Sequence, residues 1–513
     1  MKRLPIGIQA FEDIRGRDAV YVDKTKEIYN MARGGKFYFL SRPRRFGKSL
    51  LISTLKNSYK GKKELFEGLY IWGKWDWSKK HPVIHLDFAE IGYKNSDELE
   101  KSFNVFLDNT AKRNNVEITK SAPISVKFAE LIEKLHKSTR EQVVVLVDEY
   151  DKPLIDNLVN KEVYSQVKRS LHNFYQVVKA GDEHIKLVLL TGVSQFSGLS
   201  IFSGLNNLEN ITMSEDFASI CGYTQEELES NFKEYIELAE KNLELNYSDI
   251  VSHIKRWYNG YSWDGKVFFS TLLFFKHKEF AGHWFETGTP TFLIEQLEKM
   301  EEVESLLQVS QDVLKGPDNE EMEPTALLFQ TGYLTVKRKE STDTGSVYTV
   351  DFPNYEVKSA FLTRLVAVCA RKTQREAESI RDKIYDSLKE KDEKKLEKSL
   401  TELYANKPYD LHIKRESYYH SIFLATAKIS GYEVEGEVHT DKGRIDVVVK
   451  KGDNVIVVEI KYGKENKVEQ LLKEGMKQIK ESKYSQKYNS ANVTLLAIVF
   501  AENKEIRCGF ESI

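Results

Sequence analysis

A chain of 513 residues has room for about three domains at roughly 150 residues each. Its 41% hydrophobic and 30% charged residues suit packed cores in a soluble protein, and a formal net charge of −2 excludes a global positive field. Any nucleic-acid surface must therefore be a local patch. Cys221, Cys369 and Cys508 are isolated, which fits a reducing compartment and offers neither a disulfide framework nor a zinc spacing. The start, Leu4-Pro-Ile-Gly-Ile-Gln, is too short and polar for a signal-peptide core, and no apolar run approaches the roughly 18 residues of a membrane span. The expectation is a cytoplasmic multidomain protein.

Residues 36–215 alternate strand-like runs with amphipathic helical stretches, the pattern of a mostly parallel α/β sheet. The predicted strands are 36–40, 82–87, 142–147 and 185–190. Residues 216–315 read as mainly helical, interrupted by aromatic runs at Trp257-Tyr-Asn-Gly-Tyr261 and Trp284-Phe-Glu-Thr-Gly288. A helix end at 326–332 and a hairpin of 333–337 with 347–351 suggest a winged-helix-like module. Residues 371–404 form a charged helix or helix pair whose stripe of Ile380, Ile384, Leu388, Leu396, Leu400 and Leu403 is expected to face a core. The last domain, 405–513, has a helix, strands at 432–438, 444–450 and 455–460, a helix near 467–482 and a strand at 493–500. There is no internal repeat.

The first predicted strand runs into Ser41-Arg-Pro-Arg-Arg-Phe-Gly47-Lys48-Ser49 and then a helix. Backbone N–H groups and a helix N-terminus would face an anion there, with Lys48 on the β/γ-phosphates and Ser49 on Mg²⁺. Arg42 stands where the usual first Gly of such a loop would be, and a loop with Arg42, Pro43, Arg44 and Arg45 could supply extra positive charge near the phosphates while altering the turn. About a hundred residues on, an apolar strand delivers Asp148-Glu149: Asp148 to hold Mg²⁺ through water, Glu149 to polarise the attacking water. A third strand ends in Thr191-Gly-Val-Ser194-Gln195, where a polar side chain could sense the γ-phosphate.

Near the C-terminus, Gly443-Arg-Ile-Asp446 is followed by Val457-Val-Glu459-Ile-Lys461. An Asp on one strand and a Glu-x-Lys on the next suit a metal-dependent phosphodiesterase: two carboxylates for Mg²⁺, a Lys for the water and the developing charge. Period-2 geometry puts Glu459 and Lys461 on one face of their strand. The plainer reading is a solvated hairpin with cross-strand ion pairs. Trp257, Tyr258, Tyr261 and Trp263 are expected to pack rather than stack bases. Lys337, Arg338 and Lys339 are expected at a solvated hairpin tip, and His412, His420 and His439 are expected to be structural. Arg256 is a candidate lid arginine.

Together these stretches resemble the prokaryotic AAA-ATPase-like proteins with a C-terminal PD-(D/E)XK nuclease-like domain. The resemblance is carried by Tyr21-Val-Asp-Lys-Thr25, the Arg42–Ser49 loop, Val147-Asp-Glu-Tyr-Asp151-Lys-Pro153 and Leu190-Thr-Gly-Val-Ser194. Trp257–Tyr261, Gln330–Thr335, Phe352–Val357 and Gly443–Asp446 continue it along the chain. It implies an ATPase core of the additional-strand type, in which the Arg-Pro-Arg-Arg-Phe-Gly-Lys-Ser loop is usual. It puts Asp446, Glu459 and Lys461 at catalytic positions, with Glu416, Glu437, Gln478 and Tyr484 as supporting candidates.

The expected fold class is thus α/β: a P-loop core (1–215), a helical lid (216–315), a winged-helix-like module with a charged connector (316–404) and a restriction-endonuclease-like domain (405–513). The expected cofactors are ATP and Mg²⁺. Arg44, Arg45, Phe46, Gly47, Lys48, Ser49, Asp148 and Ser194 would bind nucleotide, and Ser49, Asp148, Asp446 and Glu459 would bind metal. Nucleic acid is the expected partner, with DNA and RNA both open and homo-oligomerisation a further option. The competing reading is a nucleotide-switched scaffold whose nuclease-like domain only binds.

Overall fold

The computed structural model describes residues 1–157, 160–194, 207–263, 266–268, 271–282, 308–310, 324–342, 345–369, 371–404, 416–440, 443–481, 492–503 and 505–512. Gln195, Trp284–Gly288, His412 and Tyr484 lie outside these residues, and so do the side chains of Cys369, Glu416, Glu437 and His439. By contacts the chain divides into two compact units, Met1–His283 with Leu307–Tyr355, and Trp284–Leu306 with Glu356–Ile513. The segment 316–404 contributes to both.

In the first unit a five-stranded sheet is built from β1 (Phe37–Ser41), β2 (Val83–Asp87), β3 (Val143–Asp148), β4 (Ile185–Gly192) and β5 (Glu209–Asn210). The spatial order is β2-β3-β4-β1-β5, and every pair is parallel. Insertion of β4 between β1 and β3 makes this the additional-strand arrangement. β1 and β3 are buried at every position, as strands covered on both faces must be. The helices Ser96–Arg113, Ile124–Thr139 and Lys161–Ala180 cover one face, and Phe174 stacks between Phe103 and Phe128 at 4.3 and 4.4 Å. A separate core joins Val20 and Val22 to the helices that follow the sheet through Phe232, Ile236, Ile254 and Phe275.

Two smaller sheets complete this unit. β6 (Tyr261–Trp263) pairs antiparallel with β7 (Lys266–Phe268). β8 (Gln308–Ser310), β9 (Thr335–Thr342) and β10 (Gly345–Asp351) form an antiparallel sheet in the order β8-β10-β9, with the helix Pro324–Gln330 between β8 and β9 in the chain. The expected hairpin thus gains a third strand.

The second unit holds a mixed sheet of β11 (Glu433–Thr440), β12 (Gly443–Lys451), β13 (Asn454–Gly463), β14 (Asn492–Ala501) and β15 (Ile506–Ser512) in sequential order. All neighbours are antiparallel except β13 and β14, which the helix Val468–Glu481 links as a crossover. The sequence reading missed β15. The charged segment forms two helices, Gln374–Glu390 and Glu393–Tyr404, and all six stripe residues are buried. No helix among the described residues is long and apolar enough to cross a membrane.

Candidate nucleotide and nuclease sites

Because β1, β3 and β4 are parallel neighbours, their C-terminal ends bring three loops together. Gly47 closes the first loop at φ +90°, a left-handed conformation that suits glycine, and caps the helix Lys48–Tyr59. The Lys48 Nζ donates to the carbonyls of Arg42 (2.9 Å) and Pro43 (3.1 Å). Burial lowers its proton affinity, and the charges of Asp148 and Asp151 oppose that shift. Ser49 is half-buried on the first helical turn, Arg44 is half-buried and Arg45 is exposed.

Arg42 does not extend toward a phosphate. It is 1% exposed, donates to the carbonyls of Ser41, Thr212 and Phe217, and lies 4.3 Å over the Trp263 ring. Phe46 is buried edge-on against Tyr261 (4.8 Å) and Trp263 (5.3 Å), two rings that stack on each other. The Tyr261 hydroxyl in turn donates to Gly332 O, and Ser262 N to Thr335 Oγ1. The β6 aromatics therefore pack, and what they hold is the phosphate loop.

Asp148 ends β3 in register with Asp87 of β2. Its Oδ1 accepts from Thr191 Oγ1 (2.6 Å) and from the N–H of Glu149 (3.1 Å). Glu149 turns the chain at φ +52°, and partial burial, followed by the Asp148 charge, raises its pKa above the usual 4.5. Asp151 is buried and accepts from the N–H groups of Val193 (3.0 Å) and Ser194 (2.6 Å) and from the Ser194 hydroxyl (2.5 Å). The Ser194 carbonyl accepts from the Tyr150 hydroxyl. Ser194 thus sits at the strand end beside the phosphate loop, with its hydroxyl committed to Asp151. Gly192 makes this approach possible, since a Cβ there would stand 2.5 Å from Tyr150 and 2.7 Å from Asp151. Sequence reading gave Asp151 no role, although a third acid just beyond an Asp-Glu pair at a strand end was a usable signal.

In the second unit Asp446 on β12 and Glu459 on β13 lie on adjoining strands, one position beyond the Val447–Val458 pair. Asp446 Oδ2 accepts from the N–H of Ile460 at 2.8 Å. Glu459 is 1% exposed, and its Oε1 lies 2.7 Å from Lys461 Nζ. The helix Glu416–Ile429 contributes His420, whose Nε2 is 2.8 Å from the carbonyl of Asp446; a carbonyl only accepts, so that nitrogen carries the proton. His420 therefore fixes the backbone under Asp446. Gly475 places the crossover helix against Glu459 and Lys461: a Cβ there would lie 3.7 Å from the Cγ of each, an ordinary contact distance. Gln478 is exposed on the same helix. No group of three or more potential metal-ligating side chains occurs among the described residues. Mg²⁺ needs only one or two protein carboxylates and keeps several waters, so the donor chemistry of Asp446 with Glu459, and of the Ser49 hydroxyl with Asp148, fits it.

A curated relative, an "Uncharacterized protein in vnfD 5'region" from Azotobacter chroococcum mcd 1, is 35% identical over 99% of this chain and 98% of its own. Family profiles match residues 5–202 as "Predicted AAA-ATPase" and residues 414–510 as "PD-(D/E)XK nuclease superfamily". The chain belongs to this family of AAA-ATPase-like proteins with a PD-(D/E)XK domain. Among solved structures it is similar to the Aeropyrum pernix ORC2 protein in ADPNP–ADP complexes (10% identity, 64% of this chain and 87% of that one, TM-score 0.28). It is also similar to the Aeropyrum pernix ORC1 protein in complex with DNA (9% identity, 68% and 95%, TM-score 0.26). The AAA-ATPase-like match covers both carboxylate-bearing strand ends and the phosphate loop, and the PD-(D/E)XK match covers Asp446, Glu459 and Lys461.

The smaller candidates are engaged locally. Arg256 lies 5.2 Å over the Tyr355 ring. Lys337 donates to Pro353 O, Arg338 pairs with Glu340, and Lys339 lies over Tyr348.

Proposed function

We propose that this protein hydrolyses ATP in its N-terminal core and that the nucleotide state governs a Mg²⁺-dependent nuclease in its C-terminal domain, acting on DNA or RNA in the cytoplasm. The working parts are the core at 1–215, the lid at 216–315, the wing and connector at 316–404 and the nuclease at 405–513. Lys48 exchanges its loop carbonyls for the β/γ-phosphates, while Arg44, Arg45, Phe46 and Gly47 shape the cradle. Ser49 and Asp148 hold Mg²⁺, and Glu149 takes the proton of the attacking water. Ser194 borders the γ-phosphate through its bonds to Asp151. Control of one site by the other requires the two nucleotide states to differ in domain contacts.

The observation that carries the reading is the intact constellation of Asp446, Glu459 and Lys461. A solvated hairpin does not bury its carboxylate, and Glu459 is 1% exposed. When bound at Asp446 and Glu459, the cation supplies Lewis acidity at the scissile phosphate. Lys461, held by Glu459, orients the water and stabilises charge on the phosphate oxygens.

The test is cleavage of single- and double-stranded DNA and RNA with Mg²⁺ or Mn²⁺, with and without ATP. Cleavage by wild type that disappears in Asp446→Ala supports the nuclease, and disappearance in Lys48→Ala supports control by the ATPase. Intact ATP hydrolysis with no cleavage of any substrate replaces this reading with the nucleotide-switched scaffold.

A further inference from the structure

The segment that follows the phosphate-loop helix is basic although the chain is not. Between residues 56 and 80 it has seven lysines against three acidic residues, in a protein of net charge −2. It also exposes two of the largest apolar side chains, Tyr70 at 38% and Trp72 at 41%, while Ile71 between them is fully buried. That alternation is held in place. The N–H of Tyr70 donates to Asp23 Oδ2 (2.7 Å), the N–H of Ile71 to Thr25 Oγ1 (3.2 Å), and Trp77 Nε1 to Trp72 O (2.8 Å). Phe66 packs 4.9 Å from Trp77 beneath, and Tyr59 5.0 Å from Trp75. The loop has its own apolar anchors, so Tyr70 and Trp72 are not displaced core residues.

Each exposed ring carries a cation. Lys74 Nζ is 3.5 Å from the Tyr70 centroid and Lys63 Nζ is 5.5 Å from that of Trp72. Lys60 is exposed on the surface; partial burial, followed by the charges of Lys56 and Lys62, lowers its pKa, and a polyanion would relieve the repulsion among the three. Lys80 is exposed nearby, its stem against Gly61.

We propose that this platform, Tyr70 and Trp72 flanked by Lys60, Lys63, Lys74 and Lys80, binds single-stranded nucleic acid. Aromatic faces accept unstacked bases of any sequence, and lysines beside them neutralise the connecting phosphates. A duplex offers the phosphates but keeps its bases stacked. The platform starts at the C-terminal end of a 12-residue helix whose N-terminus is Lys48, about 18 Å away along the axis, so it is separate from the nucleotide site. It deepens the function proposed above by giving the ATPase core its own contact to a nucleic-acid substrate.

The experiment uses full-length Asp446→Ala protein in EDTA, titrated into a labelled single-stranded oligonucleotide, its duplex and phosphatidylserine vesicles. The expected result is salt-dependent binding that favours the single strand. Tyr70→Ala/Trp72→Ala and Lys60→Glu/Lys63→Glu/Lys74→Glu/Lys80→Glu each weaken it at least tenfold without changing thermal melting, while Tyr70→Phe/Trp72→Phe retains it. Unchanged affinity in both sets of variants, or preference for duplex or vesicles, overturns the proposal. Cleavage that persists with the platform removed leaves the nuclease reading standing without the platform; platform-dependent binding with no cleavage by the wild-type protein in Mg²⁺ or Mn²⁺ leaves the platform standing without the nuclease.

Discussion

The nucleotide site and the nuclease-like site use the same chemical parts, carboxylates and a lysine, but are assembled at opposite ranges. Lys48, Asp148 and the Asp151–Ser194 clamp come from three strands whose adjacency depends on β4 entering between β1 and β3. Asp446, Glu459 and Lys461 lie within sixteen consecutive residues, on a hairpin whose register sets their spacing. The first site depends on topology, and its lysine rests on backbone carbonyls that a phosphate can replace. The second is local, and its lysine is already paired with a carboxylate. The sharpest break between them comes from Asp446→Ala, for which we expect cleavage to fall by about 10³-fold or more, the loss of several kcal/mol of transition-state stabilisation. ATP turnover should remain within about twofold of wild type, since a 1 kcal/mol change is already about fivefold. A matched fall in both activities would mean that the two sites are not separable.

Glu149→Gln should act on the other site alone, lowering ATP turnover by about 10²-fold or more while labelled ATP still binds. Its pH dependence sharpens the comparison. A general base works deprotonated, and the Glu149 pKa is raised by burial and then by Asp148, so the acid limb of turnover should lie above pH 4.5. The same shift has a sign for stability. Between its unfolded and folded pKa values the native state binds more protons, so Glu149 loses stability as pH rises through that window. Thermal melting of Glu149→Gln at neutral pH should therefore exceed wild type, with the gap closing as pH falls below the folded pKa. A variant less stable at every pH would show that Glu149 is a structural residue.

Much of this was legible in the sequence, for reasons that differ by site. β1 to β4 lie within two residues of their predicted spans; for β1, β3 and β4 the reason is an apolar run that leads into Gly-Lys-Ser, Asp-Glu or Thr-Gly and admits few alternatives. β11 to β14 were read nearly as well. The order of the parallel strands is not written in any local pattern, so Thr191 and Asp151 could not be placed against Asp148 and Ser194. Arg42 was misread as phosphate-facing charge because its partners, Thr212, Phe217 and Trp263, lie 170 residues or more away. β15 was missed because Ile506-Arg-Cys-Gly-Phe-Glu-Ser carries a Gly and three charged or polar positions, and becomes a strand only through its neighbours.

Those neighbours include the charged helix Glu393–Tyr404, which shows why β15 holds. β15 is the edge of its sheet, and an edge leaves a row of unpaired N–H groups. Glu393 and Glu397 accept from the N–H groups of Phe510 (2.9 Å) and Cys508 (3.0 Å). The spacing matches: four residues along a helix advance about 6 Å, and two residues along a strand about 6.8 Å. Arg507 adds a pair to Glu397 at 3.6 Å. The apparent connector is thus the cover of the nuclease-like sheet. Glu397→Ala should cost about 1.5 kcal/mol, the scale of a hydrogen bond to a charged group, read as a lower unfolding midpoint in denaturant with unchanged slope. Amide exchange at Cys508 should speed up more than at β13, since the loss is at the edge. Equal acceleration along both strands would instead mean that the helix holds the sheet by its apolar stripe alone.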